Sequence, residues 1–139
     1  MADRNINVVH LLTPKAITVF LYDEDTVRQG MEVFKHYGYT SVPVVNRHGG
    51  YMGCVTEGDF LRYMMSKGNT EIGQMEKDHI GEIMRRDFGS AVKIHASAQE
   101  VVDIAMRQNY VPVIDDRGIL SGIITRKSVI EYLAKEAFD

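Results

Sequence analysis

The 139-residue sequence has one cysteine, three prolines and no tryptophan, and its charges nearly balance. A lone Cys54 rules out an intrachain disulfide framework, and its place in the apolar stretch Tyr51–Val55 suits a small buried residue. No apolar run approaches the roughly 18 residues that a membrane span needs. The start, Met1–Asn7, is polar and of both charge signs, so the chain reads as soluble and cytoplasmic, without a membrane partner. Sixteen basic against 19 acidic residues give a net charge of −3, which argues against a general grip on nucleic acid and leaves small anions open. His10, His36, His48, His79 and His95 show neither helical i, i+4 pairing nor a cysteine partner set, so no metal is expected. Gly-x-Ser-x-Gly, P-loop and Gly-x-Gly-x-x-Gly motifs are all missing; no catalytic residue or catalytic cofactor is assigned, and an enzyme is not expected.

What the sequence does contain is one unit written twice. Val42-Pro43-Val44-Val45, Gly49, Gly53, Val55 and Thr56 recur as Val111-Pro112-Val113-Ile114, Gly118, Gly122, Ile124 and Thr125, all at an offset of 69 residues. Upstream, Thr26–Phe34 matches Ala98–Met106 at an offset of 72.

Each copy reads as strand, helix, strand, strand, helix, an α/β (α+β) pattern. Ile17–Leu21 is an apolar strand candidate, and Val27, Met31, Phe34 and Tyr37 then repeat at helical spacing. A strand begins at Tyr39, and Val42–Val45 and Tyr51–Val55 are joined by the hairpin composition Asn46–Gly50. Phe60, Leu61, Met64 and Met65 mark a closing helix. Copy two repeats the plan with Ala91–Ile94, a helix carrying Val101, Val102, Ala105 and Met106, a hairpin at Asp115–Gly118, and a final helix with Val129, Ile130 and Leu133. The polar, glycine-containing stretch between the copies reads as a connector. Pro43 and Pro112 lack an N–H, so each is expected at the first residue of a strand or on an edge. The backbone just before it is then left to face a ligand.

Two such units in register resemble the CBS domain pair, or Bateman module. The resemblance implies one module over 1–139, with repeat 1 at 8–66, a connector at 67–79 and repeat 2 at 80–139, the repeats packed with pseudo-two-fold symmetry through their sheets. It also implies two clefts for adenine nucleotides and frequent homodimers. Thr13-Pro14-Lys15, Tyr39–Val44 and Ile124–Lys127 are similar to stand-alone bacterial CBS proteins, some of which bind cyclic di-AMP.

Carried across, cleft A would use Lys15, Ile17, Thr18, Tyr39, Thr40, Ser41, Pro43, Thr125, Arg126 and Ser128. A helix start with a guanidinium beside it suits phosphate. Cleft B would use Thr56, Asp59, Ser90, Asn109, Tyr110, Val111 and Pro112, with Asp59 accepting from ribose hydroxyls as in the family's Thr-x-x-Asp signature. Glu57 stands where copy two has Arg126, and Ser128 where copy one has Asp59, so the clefts are not equivalent. Cyclic di-AMP, whose 3′ oxygens are esterified, suits the site without the carboxylate. Simpler readings stand beside these. Thr56–Asp59 also fits a helix-capping pattern, and Arg126-Lys127 and Arg85-Arg86 fit an ordinary solvated helix start and turn. The expected function is a regulatory adenine-nucleotide-binding module (cyclic di-AMP, AMP or ATP) that signals to an unidentified effector protein. The alternatives are a ligand-free oligomerisation module and, last, a small nucleotide-processing enzyme.

Overall fold

A computed structural model describes residues 7–67, 71–85 and 89–138. In chain order the elements are α1 (Val8–Leu11), β1 (Thr13–Pro14), a 3-10 turn (Lys15–Ile17), β2 (Leu21–Tyr22), α2 (Val27–Tyr37), β3 (Ser41–Val45), β4 (Tyr51–Thr56), α3 (Glu57–Lys67), α4 (Ile72–Met75), α5 (Ile80–Ile83), β5 (Val92–Lys93), α6 (Ala98–Arg107), β6 (Tyr110–Ile114), β7 (Leu120–Thr125) and α7 (Arg126–Phe138). They form two compact units. One, here the repeat-1 unit, runs from Val19 through residue 88; the other, the repeat-2 unit, joins the residues up to Thr18 to those from Gly89 onward. The units and the sequence repeats therefore do not share boundaries.

In the repeat-1 unit the sheet order is β2-β3-β4, with β3 antiparallel to β4 and parallel to β2. Leu21, Val42, Val44 and Val55 turn into a core closed by Phe34, Phe60, Tyr63, Met75 and Ile80. Helix α2 starts at a capping box in which the Thr26 hydroxyl accepts the Gln29 amide and the Gln29 side chain accepts the Thr26 amide. It ends at Gly38, whose φ of 68° is the left-handed turn that glycine adopts without strain. Gly30 lets α2 approach its neighbours: a β-carbon there would stand 2.5 Å from Ile80 Cδ1 and 3.0 Å from Phe60 Cζ.

The repeat-2 unit has the sheet order β1-β7-β6-β5, with a core of Val92, Val101, Ile104, Ala105, Val111, Val113, Ile124 and Val129. The hairpin registers match residue for residue at the offset of 69, Pro43 opposite Cys54 and Pro112 opposite Ile123. The upstream helices do not match at 72. Their caps place Thr26 against Ser97, and the buried Gly30 and Phe34 against the buried Val101 and Ala105, an offset of 71. Small and large residues exchange places between the copies, which hid this alignment in the sequence.

Three further expectations change. The strand expected at Ile17–Leu21 is a 3-10 turn followed by only Leu21–Tyr22, because the Thr18 hydroxyl donates to the carbonyls of Pro14 (2.8 Å) and Thr13 (3.2 Å) and folds the chain back. The strand expected at Ala91–Ile94 likewise shrinks to Val92–Lys93. Pro43 and Pro112 are third in their strands, not first. The parallel neighbours β2 and β5 reach only the two residues after each proline, so the missing N–H costs no ladder bond to them.

The segments that lead into each repeat are built into the other unit. α1 and β1 belong to the repeat-2 unit: Val8 is buried in its core, and Thr13 and Pro14 pair with Ile123 and Gly122 of β7. α5 belongs to the repeat-1 unit, where Ile80 is buried and its amide donates to Asp25 O at 2.8 Å. The expected plain connector carries α4, with Met75 in the repeat-1 core, and is tied down by an Arg28–Glu76 ion pair and by the Val27 amide donating to Asp78 O at 2.9 Å.

The β1–β7 contact depends on a bare backbone: a β-carbon on Gly122 would stand 2.1 Å from the Thr13 carbonyl oxygen. Gly122→Ala should destabilise the fold by roughly 1–3 kcal/mol in urea unfolding. Gly73→Ala, in α4 with nothing within 4 Å of the new carbon, should not destabilise it.

Candidate functional site

Both units turn from a strand directly into a helix, β4 into α3 and β7 into α7, with no residue between. The first amides of such a helix have no intrahelical acceptor and must be satisfied locally. In the repeat-2 unit the Thr125 hydroxyl accepts the Ser128 amide at 3.1 Å and lies 2.8 Å from the Ser128 hydroxyl. The Arg126 amide donates to Asn109 O at 2.9 Å, and Arg126 Nε donates to Ala105 O at 2.8 Å. Arg126 is thus a braced guanidinium, tied through one nitrogen to α6, and not the freely solvated side chain of the simpler reading. Lys127 fits that reading: it is exposed and only 3.9 Å from Glu131.

The repeat-1 unit uses the same junction with a carboxylate in it. Asp59 Oδ2 accepts the Thr56 amide at 2.8 Å, and the Thr56 hydroxyl accepts the Asp59 amide at 3.2 Å, a reciprocal cap. Asp59 is only 1% exposed, and a buried carboxylate needs opposite charge. Its Oδ1 receives Arg62 Nη2 and, at 3.3 Å, Arg85 Nε. Both oxygens that the family signature would offer to ribose are engaged in this structure, Oδ2 by the cap and Oδ1 by the arginines. Arg85 is therefore an ion-pair partner and not simply a solvated turn; Arg86 lies outside the described residues.

The remaining expected residues divide by unit. Tyr39, Thr40, Ser41 and Pro43 belong to the repeat-1 unit with Thr56 and Asp59; Lys15, Ile17 and Thr18 belong to the repeat-2 unit with Ser90, Asn109, Tyr110, Val111, Pro112, Thr125, Arg126 and Ser128. Ile17 and Tyr39 are exposed, and the Tyr39 ring stacks on that of Tyr37 with centroids 5.6 Å apart. Pro43, Tyr110, Val111 and Pro112 are buried, so any part they play in binding is through the backbone. The Ser90 amide and carbonyl are both held by the Gln108 side chain, at 2.7 and 3.1 Å. Sequence reasoning missed Arg62 as a partner of Asp59, the Gln108 side chain as the brace of Ser90 and the stacking of Tyr37 on Tyr39. Only Arg62, three residues past Asp59 and so on the same helix face, carried a signal that could have found it.

A pocket lies at the same place in each unit. In repeat 1 it measures about 260 Å³ and is lined by Asp59, Arg62, Tyr63, Ser66, Asp78, Glu82 and Ile83. In repeat 2 it measures about 700 Å³ and is lined by His10, Leu11, Ser128, Glu131, Tyr132, Ala134 and Lys135. The repeat offset pairs Asp59 with Ser128, Arg62 with Glu131 and Tyr63 with Tyr132, so the position is kept while size and charge differ. Among the described residues no cluster of three or more His, Cys, Asp or Glu side chains could hold a metal, and no helix is long and apolar enough to cross a membrane.

The CBS domain family matches the chain twice, over residues 8–66 and 80–135. The chain belongs to the CBS domain family. Its tandem CBS fold is similar to that of a CBS domain protein from Streptococcus pneumoniae, with a TM-score of 0.83 and 26% identity over 94% of this chain and 88% of that one. It is similar also to CbpB, solved in complex with cyclic di-AMP, with a TM-score of 0.83 and 24% identity over 94% of this chain and 85% of that one. An uncharacterized protein of Methanocaldococcus jannaschii is 29% identical over 107 residues; the match covers 70% of this CBS chain but only 37% of that protein's length.

The tyrosine of the repeat-1 pocket ties α3 to α4's segment: Tyr63 Oη donates to Asp78 Oδ2 at 2.5 Å. Burial, then the Asp78 hydrogen bond and charge, push the Tyr63 phenol from 10.0 up to about 12. A phenol that holds its proton more tightly when folded contributes stability that is whole below pH 10 and lost as pH rises toward about 12. Urea unfolding across that window should show the loss in the wild type and a shallower one in Tyr63→Phe.

Proposed function

We propose that this chain is a regulatory CBS module that binds an adenine nucleotide (cyclic di-AMP, AMP or ATP) and passes the signal to a partner protein in the cytoplasm, without catalysing a reaction. The observation that carries the reading is the β7–α7 junction, where the start of a 13-residue helix stands beside a guanidinium braced by Ala105 O. Helix amides and a forked cation together suit a phosphoryl group. The same fold holds cyclic di-AMP in CbpB, AMP in CBSX2 and ATP in the CBS domain of a bacterial CNNM/CorC family Mg2+ transporter, which supports the ligand class.

The phosphate end of the ligand is assigned to Thr125, Arg126 and Ser128, with Lys15 of the same unit as a further cation. Tyr39, Thr40 and Ser41 are assigned to the purine. Ser128 in place of a carboxylate favours cyclic di-AMP at this junction, because no ribose 3′ hydroxyl is left to seek an acceptor. A second reading, a ligand-free structural module, draws support from Asp59, whose oxygens already have protein partners.

The module is proposed to act as a homodimer. Met106 (76% exposed) and Ile130 (57% exposed) flank an apolar groove of about 340 Å³ between α6 and α7. Leu61, the repeat counterpart of Ile130, is exposed on α3. An exposed apolar residue at this position in both repeats, beside an apolar groove in one, suits a contact between two copies. Met106→Glu with Ile130→Glu should convert the dimer to a monomer in light scattering, and a wild type that is already monomeric would end this part of the reading.

Titration calorimetry and thermal shift with AMP, ATP and cyclic di-AMP test the ligand. Binding of at least one is expected, and silence with all three at millimolar concentration decides for the structural module. Arg126→Ala should weaken the bound nucleotide about 10-fold, as expected for one charged hydrogen bond.

A further inference from the structure

In the repeat-1 pocket the chain supplies a carboxylate of its own. Tyr63 Oη donates to Asp78 Oδ2 at 2.5 Å, and Gln74 Nε2 donates to the same oxygen at 3.2 Å. The repeat-2 pocket is built from the matching elements. α7 repeats α3 at the offset of 69, and α1 repeats α5 at 72, each of these two short helices burying its first residue, Val8 or Ile80. Tyr132 therefore takes the place of Tyr63, and its ring packs against the repeat-2 core. The residue 72 places before Asp78 is Ile6, which has no carboxylate. Among the described residues no hydrogen bond or ion pair reaches the side chains of His10, Tyr132 or Lys135.

Two further exchanges alter the charge of the pocket. His10 replaces Glu82 and Lys135 replaces Ser66, so two basic side chains stand where repeat 1 has an acid and a hydroxyl. The repeat-1 pocket holds three carboxylates, Asp59, Asp78 and Glu82, against Arg62; the repeat-2 pocket holds Glu131 against Lys135 and the His10 imidazole. Glu131 opposes an anion, but it is drawn toward Lys127 at 3.9 Å. Leu11 and Ala134 give the pocket an apolar wall. At about 700 Å³, against about 260 Å³ in repeat 1, it has room for a small organic molecule.

We propose that the pocket between α1 and α7 binds a small organic carboxylate, whose oxygens take the place that Asp78 fills in repeat 1. Tyr132 Oη and Lys135 Nζ donate to the carboxylate, His10 donates from α1, and the hydrocarbon part of the ligand lies on Leu11 and Ala134. A hydrogen bond to an ionised acceptor is stronger than one to a neutral acceptor, so charge on the ligand is what the site selects. The inference does not rest on the nucleotide reading. The pocket runs along α7 beyond its first turn and asks for neither a purine nor a phosphate. It borders the β7–α7 junction at Ser128, whose amide and hydroxyl are already turned to Thr125.

Hexanoate, hexanol and hexylamine, titrated into the whole chain and followed by ligand-observed NMR, test it. Hexanoate should bind about 10-fold more tightly than hexanol, and hexylamine no better than hexanol. Tyr132→Phe, which keeps the ring in the core, should weaken hexanoate about 10-fold and hexanol less. Lys135→Gln, an exposed change, should weaken hexanoate about 3-fold. Glu131→Gln should tighten it, and Tyr63→Phe, in the other unit, should not alter it. Hexanoate held no more tightly than hexanol, or held equally well after both Tyr132→Phe and Lys135→Gln, would overturn the site. Displacement of hexanoate by AMP or cyclic di-AMP would make the pocket part of the nucleotide cleft and overturn it as a separate site. Hexanoate bound through Tyr132 by a chain that ignores AMP, ATP and cyclic di-AMP would uphold the site and end the nucleotide reading.

Discussion

At the end of β4, and again at the end of β7, a threonine hydroxyl accepts the amide of the residue three places on, and the chain passes from strand to helix without a loop. That junction sets the direction of the closing helix relative to the sheet. It also places the first helical turn beside the strand end, where the positive end of the helix dipole favours negative charge. The packing around it serves to hold the junction still. The hairpin strands bury valines on one side, Phe34 meets Phe60 edge to face at 4.9 Å, and β1 lies backbone against backbone on Gly122.

The two copies have kept this frame and parted in chemistry. Identical hairpin registers show that the buried backbone frame is constrained. Exposed positions such as Arg62 and Glu131 are not so constrained, because an exposed side chain can change sign without disturbing the core. Repeat 1 has placed a carboxylate in the junction and surrounded it with arginines. Repeat 2 has a serine there and an arginine on the first helical residue, tied back to α6. The two helix starts are therefore chemically unlike.

The exchange of leading segments has an energetic consequence. α1 fills the repeat-2 core from a distant part of the chain, and α5, which by sequence opens repeat 2, fills the repeat-1 core. α4 and the residues after it add an ion pair, backbone hydrogen bonds and the Tyr63–Asp78 contact to the repeat-1 unit. What reads as a connector is thus part of a folded core, and loosening it would cost apolar burial as well as hydrogen bonds.

The sequence by itself determined the repeat, the hairpins, the helix faces and the family, because each of these is written in local periodicity and in residues that recur at a constant spacing. Val42–Val45 with Val111–Ile114, and Thr56 with Thr125, were enough to place both strand-to-helix junctions. What only the tertiary structure decided was set by partners distant in the chain. Arg85 lies 26 residues from the Asp59 it pairs with, Gln108 lies 18 from the Ser90 it holds, and the Arg126 fork is turned to a carbonyl 21 residues away. The short strands β2 and β5, the 71-residue helix offset and the exchanged leading segments also depend on packing against other elements. Charge compensation inside a low-dielectric interior chooses its partners by proximity in space, and no spacing along the chain records that choice.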